Sequence, residues 1–231
     1  MITIAAKQLA QLAMPDACPR CFWLQKHAGR MLPFQRFPSV FTHLDQASKN
    51  VLTHYLSMGM TPPWFKAYFD LTAQIKPPHW SKFSFTNDGL QVRGEADFIA
   101  KISAPINDCL FIGDFKTAFV TDKMMPLYTA QLGCYALAAE AIPMGPVDSL
   151  GVIFCQPQSG GSTENMEGQH GFRVQFDCQV VLVDRNDSAI FELCARAVHI
   201  LSNPIPAPTA SCEDCIKLAG LQAILSTGVV P

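Results

Sequence analysis

Two short cysteine pairs stand near opposite ends of the 231-residue chain: Cys18 and Cys21 in CPRC, and Cys212 and Cys215 in CEDC. Each pair has the Cys-x-x-Cys spacing at which two thiolates reach one metal ion. If all four share a centre, the 190 residues between Cys21 and Cys212 form a closed loop. Only folds that bring the two end segments together then remain. Closing a loop of that length is worth about 5 kcal/mol at most. Two unrelated thiol pairs would impose no such restriction. The remaining five cysteines (Cys109, Cys134, Cys155, Cys178 and Cys194) lie in apolar stretches and read as small core residues. An odd total of nine points to metal ligands in a reducing cytoplasm and not to a disulfide framework.

With 49% hydrophobic residues the chain can bury one substantial core, so a single α/β domain is expected over 1–231. Residues 1–41 and 203–231 would form the clasp region around a core of 42–202. Gly, Pro, Gln or charge interrupts every apolar stretch before it reaches membrane-spanning length, and Lys7, Gln8 and Gln11 break what a signal peptide would keep apolar. The net charge of −2 is uneven: residues 1–50 carry +4, 51–130 carry none, and 131–231 carry −6. The basic end is where a polyanion would land, although an ordinary solvated surface gives the same pattern.

Periodicity and punctuation predict helices over 3–14 and 19–29. A third helix over 42–58 is capped by Thr42 and has Leu44, Ala47, Val51 and Tyr55 on one side; a proline-opened helix follows over 61–73. Strands follow at 79–86, 90–101 and 109–118, then a helix over 124–141, strands over 147–156 and 171–183, and a helix over 187–202. Residues 156–171 read as a Gly/Ser-rich loop and 203–211 as a proline-rich connector to CEDC. This order favours a mixed central β-sheet with flanking helices.

Within FIGDFKTA (111–118), strand alternation puts Leu110, Ile112, Asp114 and Lys116 on one face. The preceding strand carries Glu95, Asp97 and Ile99 on one face. A hairpin symmetric about the point between Pro105 and Ile106 sets Asp97 opposite Asp114 and Glu95 opposite Lys116. Opposed carboxylates repel, and a bound Mg²⁺ or Mn²⁺ would remove that penalty. A plain Glu95–Lys116 ion pair with solvated aspartates is the other reading. In the next helix Gln131 and Tyr135, four residues apart, share a face.

GEAD, GDFK and QLGCY, in that order, resemble the conserved elements of the PD-(D/E)XK nuclease superfamily, in its RecB-like branch. The resemblance implies a restriction-endonuclease-like core in which Asp97, Asp114 and the backbone carbonyl of Phe115 hold Mg²⁺ or Mn²⁺. Lys116 would orient the attacking water and stabilise phosphate charge, and Gln131 and Tyr135 would position substrate or lysine. The branch often adds an upstream ligand from a helix. Asp45 is the first candidate here, ahead of His43 and His54. CPRCF resembles the signature of relatives that carry a 4Fe–4S cluster, including CRISPR adaptation and AddB-type nuclease domains. Those relatives use one N-terminal and three C-terminal cysteines; the two-and-two arrangement here keeps Zn²⁺ as the alternative.

The implied function is a metal-dependent DNA nuclease, exonuclease-like on single-stranded or end-bearing DNA. It would work with a helicase, recombination or CRISPR adaptation partner. Arg20, Lys26 and Arg30, beside Phe22 and Trp23, are candidate nucleic-acid contacts. A non-catalytic DNA-binding or assembly module that keeps the fold is the alternative, and a zinc-clasped interaction domain is a third reading.

Overall fold

The structure, a computed structural model, describes residues 1–29, 39–103, 109–158 and 174–228. It is an α/β fold with two mixed sheets flanked by helices. The larger sheet runs β2 (Leu71–Ile75), β5 (Phe98–Ile102), β6 (Cys109–Lys116), β7 (Val147–Pro157), β8 (Phe176–Val183). Its strands pair antiparallel except β6 with β7, which are parallel. That parallel pair needs a crossover, and α5 (Met125–Glu140) supplies it. The smaller sheet runs β1 (Ile2–Ala5), β4 (Leu90–Arg93), β3 (Ser84–Asn87), with β1 parallel to β4.

Helix α5 explains its own composition. Ten of its residues are buried, among them Ala130, Gly133, Ala136, Ala138 and Ala139. It packs against β3, β4, β6 and β7, against α1 (Ala6–Ala10) and against α6 (Asp187–Ser202). A helix covered on so many sides has no polar stripe, and small side chains let its neighbours approach.

β6 separates two apolar clusters. Leu110 and Ile112 join the cluster with α5, while Phe111 and Phe115 join a second one with Leu52, Phe65 and Phe98. This alternation is the one expected from FIGDFKTA. The hairpin register also holds, with Phe98 opposite Gly113 and Ile102 opposite Cys109. Most of the expected turn (104–108) lies outside the described residues.

Several expectations need correction. The helix expected over 3–14 begins as β1, because Ile2–Ala5 finds β4 as a partner some 90 residues on. The strand expected over 90–101 is two strands in two different sheets, broken at 94–97. Gly94 is the break: a Cβ there would lie 2.7 Å from the Tyr135 ring. The helix expected over 61–73 is short, α4 (Pro63–Lys66), and its tail is β2. Helix α3 spans Ser39–Ser57, which puts Thr42 inside it, and its inward face carries Asp45, Ser48, Lys49 and Leu52 while Val51 is exposed. Residues 2–12, assigned from sequence to the clasp segment, are part of the main core through Ile4, Leu9 and Leu12. The clasp segments end in α2 (Pro19–Ala28) and α7 (Glu213–Thr227), the latter preceded by the 203–211 connector.

Candidate functional site

The polar group at the end of β6 is built from four elements. Asp114 is 4% exposed, because its strand face looks into the cluster under α5 and not toward water. A buried carboxylate needs partners, and it has two. Gln131 donates from Nε2 to Asp114 Oδ1 (3.1 Å), and the Lys116 ammonium is the counter-ion of Oδ2. The same Gln131 amide donates to the Tyr135 hydroxyl (2.7 Å), so the four-residue interval on α5 works as a relay. Lys116 also lies 5.0 Å from the centre of the Tyr128 ring. Burial raises the Asp114 carboxyl to about 6, partly offset by Lys116 and reinforced by the nearby Asp97 charge. Burial, with the Asp114 charge added, holds the Tyr135 hydroxyl well above its ordinary value, so it stays a phenol.

Asp97 follows the break at Gly94 and sits just before β5. Its Oδ2 accepts the Phe115 amide N–H (3.0 Å), which holds it against the end of β6. Its Oδ1 accepts from the Lys49 ammonium (2.6 Å), which also bonds Asp45 Oδ2 (2.7 Å). α3 therefore delivers Asp45 to the site, through a lysine one turn further on. Burial alone would lower the Lys49 ammonium, but its bonds to Asp45 and Asp97 outweigh that and hold it raised.

Of the residues expected from sequence, Asp97, Asp114, Phe115, Lys116, Gln131, Tyr135 and Asp45 come together in this chain of contacts. Glu95 does not face Lys116. The ladder ends at Phe98, Glu95 lies exposed in the irregular segment, and Lys116 turns to Asp114 instead. His43 and His54 lie on the exposed side of α3. Lys49 was missed, because four residues after Asp45 it reads as an ordinary helical ion pair.

At the other site, all four sulfurs of Cys18, Cys21, Cys212 and Cys215 lie within 4.8 Å of one another, so the four-cysteine group joins the two end segments. Proline at the first turn of α2 sets Cys18 as its N-cap, and Cys212 is the N-cap of α7. Each pair thus occupies the start of a helix. Sulfur separations are 3.8 Å for Cys18–Cys215, 3.4 Å for Cys21–Cys212 and 3.5 Å for Cys21–Cys215. The Thr209 amide donates to Cys18 Sγ (3.4 Å). Burial raises the Cys18 thiol, but the amides of Cys21 and Thr209 and the neighbouring thiols bring it down to about 6. A low thiol value favours the thiolate that a metal needs.

The basic residues near the clasp have mixed fates. Lys26 donates to the Thr3 carbonyl, Phe22 is buried, and the Trp23 indole donates to the Asn203 carbonyl (3.1 Å). Phe22 thus belongs to the main core, and Trp23 ties α2 to the segment after α6. Arg20 keeps a buried Nε with no hydrogen-bond partner among the described residues. Arg30 lies outside the described residues. The remaining cysteines include a facing pair that the sequence did not suggest. Cys155 on β7 and Cys178 on β8 are register partners with sulfurs 3.2 Å apart.

Compared with family models and with curated proteins, the chain matches none.

Proposed function

We propose that the chain is a divalent-metal-dependent deoxyribonuclease, exonuclease-like on single-stranded or end-bearing DNA. One observation carries this reading: Asp114, buried at the end of β6, is held by Gln131 with Lys116 beside it, while Asp97 is pinned to the next backbone amide. The donor set suits a hard cation. Asp114 is raised by burial and by a second carboxylate, and a divalent ion relieves both. Asp97 and Asp114 would hold Mg²⁺ or Mn²⁺, with Asp45 and the Phe115 carbonyl as further ligands. Such an ion, when bound, polarises a phosphoryl oxygen and lowers the pKa of its water.

The protein's own residues do the positioning. Gln131 fixes one Asp114 oxygen and leaves the other for the ion or Lys116. Tyr135 fixes Gln131. Lys116, a mobile ammonium two residues from Asp114, moves from that carboxylate to the scissile phosphate and holds the attacking water. DNA, with a helicase, recombination or CRISPR adaptation partner in the cytoplasm, completes the proposal. Among the described residues no helix is long and apolar enough to cross a membrane.

For the clasp we infer zinc. A tetrahedral ion with Zn–S bonds of about 2.3 Å spaces its sulfurs about 3.8 Å apart. Three of the six sulfur separations, at 3.4–3.8 Å, agree with that, and all six lie within 4.8 Å. A 4Fe–4S cluster, which the CPRCF resemblance favours, interposes a cube of iron and sulfide and needs its thiolates further apart.

Lys49 favours a second reading, the non-catalytic DNA-binding module, because its ammonium already occupies one oxygen of Asp45 and one of Asp97. Cleavage of end-labelled single- and double-stranded DNA with Mg²⁺ or Mn²⁺ separates the two. The nuclease reading expects Lys116→Met to bind Mn²⁺ at least as tightly as wild type and yet to stop turnover. Wild-type protein that binds DNA but never cleaves it supports the module. Normal cleavage by Lys116→Met would mean the active site lies elsewhere.

A further inference from the structure

Trp80 is an exposed tryptophan, at 45%, in the segment that precedes β3. It sits at the tip of a turn closed by Lys82 and Phe83 amides donating to the His79 carbonyl (2.8 and 3.2 Å). The Arg93 guanidinium lies over the indole, 5.4 Å from its centre, and is oriented by a bond from Nε to Gln91 (3.1 Å). The His79 ring stands 5.3 Å away, and Lys76 and Lys82 are exposed on either side in sequence. A large aromatic face braced by a guanidinium and flanked by ammonium groups suits a base on the ring and a phosphate on the cations.

This surface is mechanically joined to the carboxylates. The Gly94 amide donates to the Phe83 carbonyl (2.9 Å), and Phe83 packs 6.1 Å from the Tyr135 ring that supports Gln131. Arg93 and Asp97 are four residues apart, so their backbones lie within about 14 Å. That is about four nucleotides or fewer, at about 3.4 Å per stacked nucleotide.

Resting on the nuclease reading for its direction, we propose that Trp80 and Arg93 form a stacking platform that holds the unpaired bases of a single-stranded DNA end while the backbone crosses Asp97 and Asp114. The platform binds without sequence preference, since every base offers a face to the indole. Arg93 has two roles: it stiffens the ring and neutralises a phosphate. Duplex DNA, whose bases are already stacked on each other, gains nothing from the indole.

The test measures binding of a labelled oligothymidylate and of a closed circular duplex to the full chain, with Ca²⁺ in place of Mg²⁺. Wild type, Trp80→Ala, Trp80→Phe and Arg93→Gln are compared, with far-UV circular dichroism as the folding control. Trp80→Ala is expected to weaken oligonucleotide binding about 5- to 150-fold. Trp80→Phe should recover part of that loss, and duplex affinity should change little. Arg93→Gln should reduce the salt slope by about 1. In cleavage, Trp80→Ala should raise KM more than it lowers kcat. Wild-type affinity for the oligonucleotide in both Trp80→Ala and Arg93→Gln overturns the platform, even if Asp114-dependent cleavage proves the nuclease. An equal loss on duplex overturns its single-strand character. Trp80-dependent binding by a protein that never cleaves keeps the platform and removes the nuclease reading.

Discussion

The carboxylate site and the cysteine clasp are both clusters of like donors, but only the carboxylates have cationic side chains bonded to them. Around the carboxylates, Lys49 bridges Asp45 and Asp97, Lys116 pairs with Asp114, and Gln131 and the Phe115 amide donate to further lone pairs, which sets three carboxylates against two ammonium groups. Around the sulfurs, the contacts are with each other and with amides such as that of Thr209. No lysine, arginine or histidine bonds them among the described residues. Burial pushes the Cys21 and Cys215 thiols up, so without a cation they stay protonated and face one another with little to hold them. The carboxylates are held by cations, although Gln131 Oε1 stays buried without a hydrogen bond among the described residues. On the proposed reading a metal in the clasp closes the loop between the two end segments, whereas a cation at the carboxylates serves cleavage and not folding.

The largest effect follows from that asymmetry. Stripping the clasp metal, or replacing Cys212 by Ser, releases the loop between the two end segments at a cost approaching about 5 kcal/mol. For a chain of this size that is about 10–20 °C in Tm. Scanning calorimetry beside elemental analysis checks it, with one zinc per chain expected. One iron–sulfur cluster, seen as brown protein, would keep the clasp and replace its metal. Unchanged Tm and no bound metal would show that the four sulfurs close no loop. By contrast Mg²⁺ removal should leave Tm within a few degrees.

Asp114→Asn attacks the other side of the comparison. The amide keeps the shape and the Gln131 contact, but it loses the charge that would hold a cation. Changing even an outer partner of a metal ligand lowers affinity or activity about 10–100-fold, so loss of the ligand charge should exceed that in both Mn²⁺ affinity and cleavage. Thermal stability should fall by less than for Cys212→Ser: the lost charge no longer carries its desolvation cost, but the half-buried Lys116 ammonium loses its counter-ion. Loss of folding comparable to that of Cys212→Ser would mean the carboxylate is structural and the contrast between the sites is false.

What the sequence made legible divides along the same line. The register of β5 on β6 follows from alternation about a symmetric turn, and both cysteine pairs announce themselves by local spacing. Bounds of α5 and α6 are likewise near those expected. The failures involve distant partners. β1 is only four residues long, and although Ile2, Thr3 and Ile4 are β-branched, a segment this short is a strand only through its pairing with the distant β4. Lys49 is a plain i,i+4 partner of Asp45 until the fold brings Asp97, 48 residues away, to its ammonium. Glu95 lost its expected partner because Gly94 leaves the sheet beneath Tyr135. That glycine was visible, but the ring it accommodates was not.

Lys49 sharpens the comparison at intermediate size. If its ammonium competes with the cation for Asp97 and Asp45, Lys49→Met should tighten Mn²⁺ binding by about tenfold, the scale of one added or removed charge contact at a metal site. The same change leaves two carboxylates unbalanced in the metal-free protein, so apo stability should fall while the Mn²⁺-loaded protein recovers. Titration calorimetry and Tm with and without Mn²⁺ read both. Weaker Mn²⁺ binding in the variant would instead make Lys49 a support that holds Asp97 in place for the ion.

The smallest effect belongs to a third charge cluster, at the surface, where balance should matter least. Arg185 makes a two-pronged contact with Glu140 (2.7 and 2.6 Å) and also binds Asp187 (2.7 Å from each of two nitrogens). Glu140 lies at the C-terminal end of α5, where the helix dipole disfavours an acid, and it also accepts the Val147 amide at the start of β7 (3.2 Å). The Arg185 contact, with burial opposing it, holds the Glu140 carboxyl below its ordinary 4.5. A depressed value means the stabilisation is present above the unfolded pKa and is lost as pH falls through the folded one. With solvent screening a side chain this exposed, Glu140→Gln should cost about 1 kcal/mol or less at pH 7, about 2–4 °C in Tm. The gap between wild type and variant should close once the pH is taken below the folded pKa of Glu140, because both side chains are then neutral. A gap that persists unchanged there would assign the loss to the Val147 hydrogen bond. A gap at pH 7 as large as that of Cys212→Ser would place a structural clasp at this end of α5 as well.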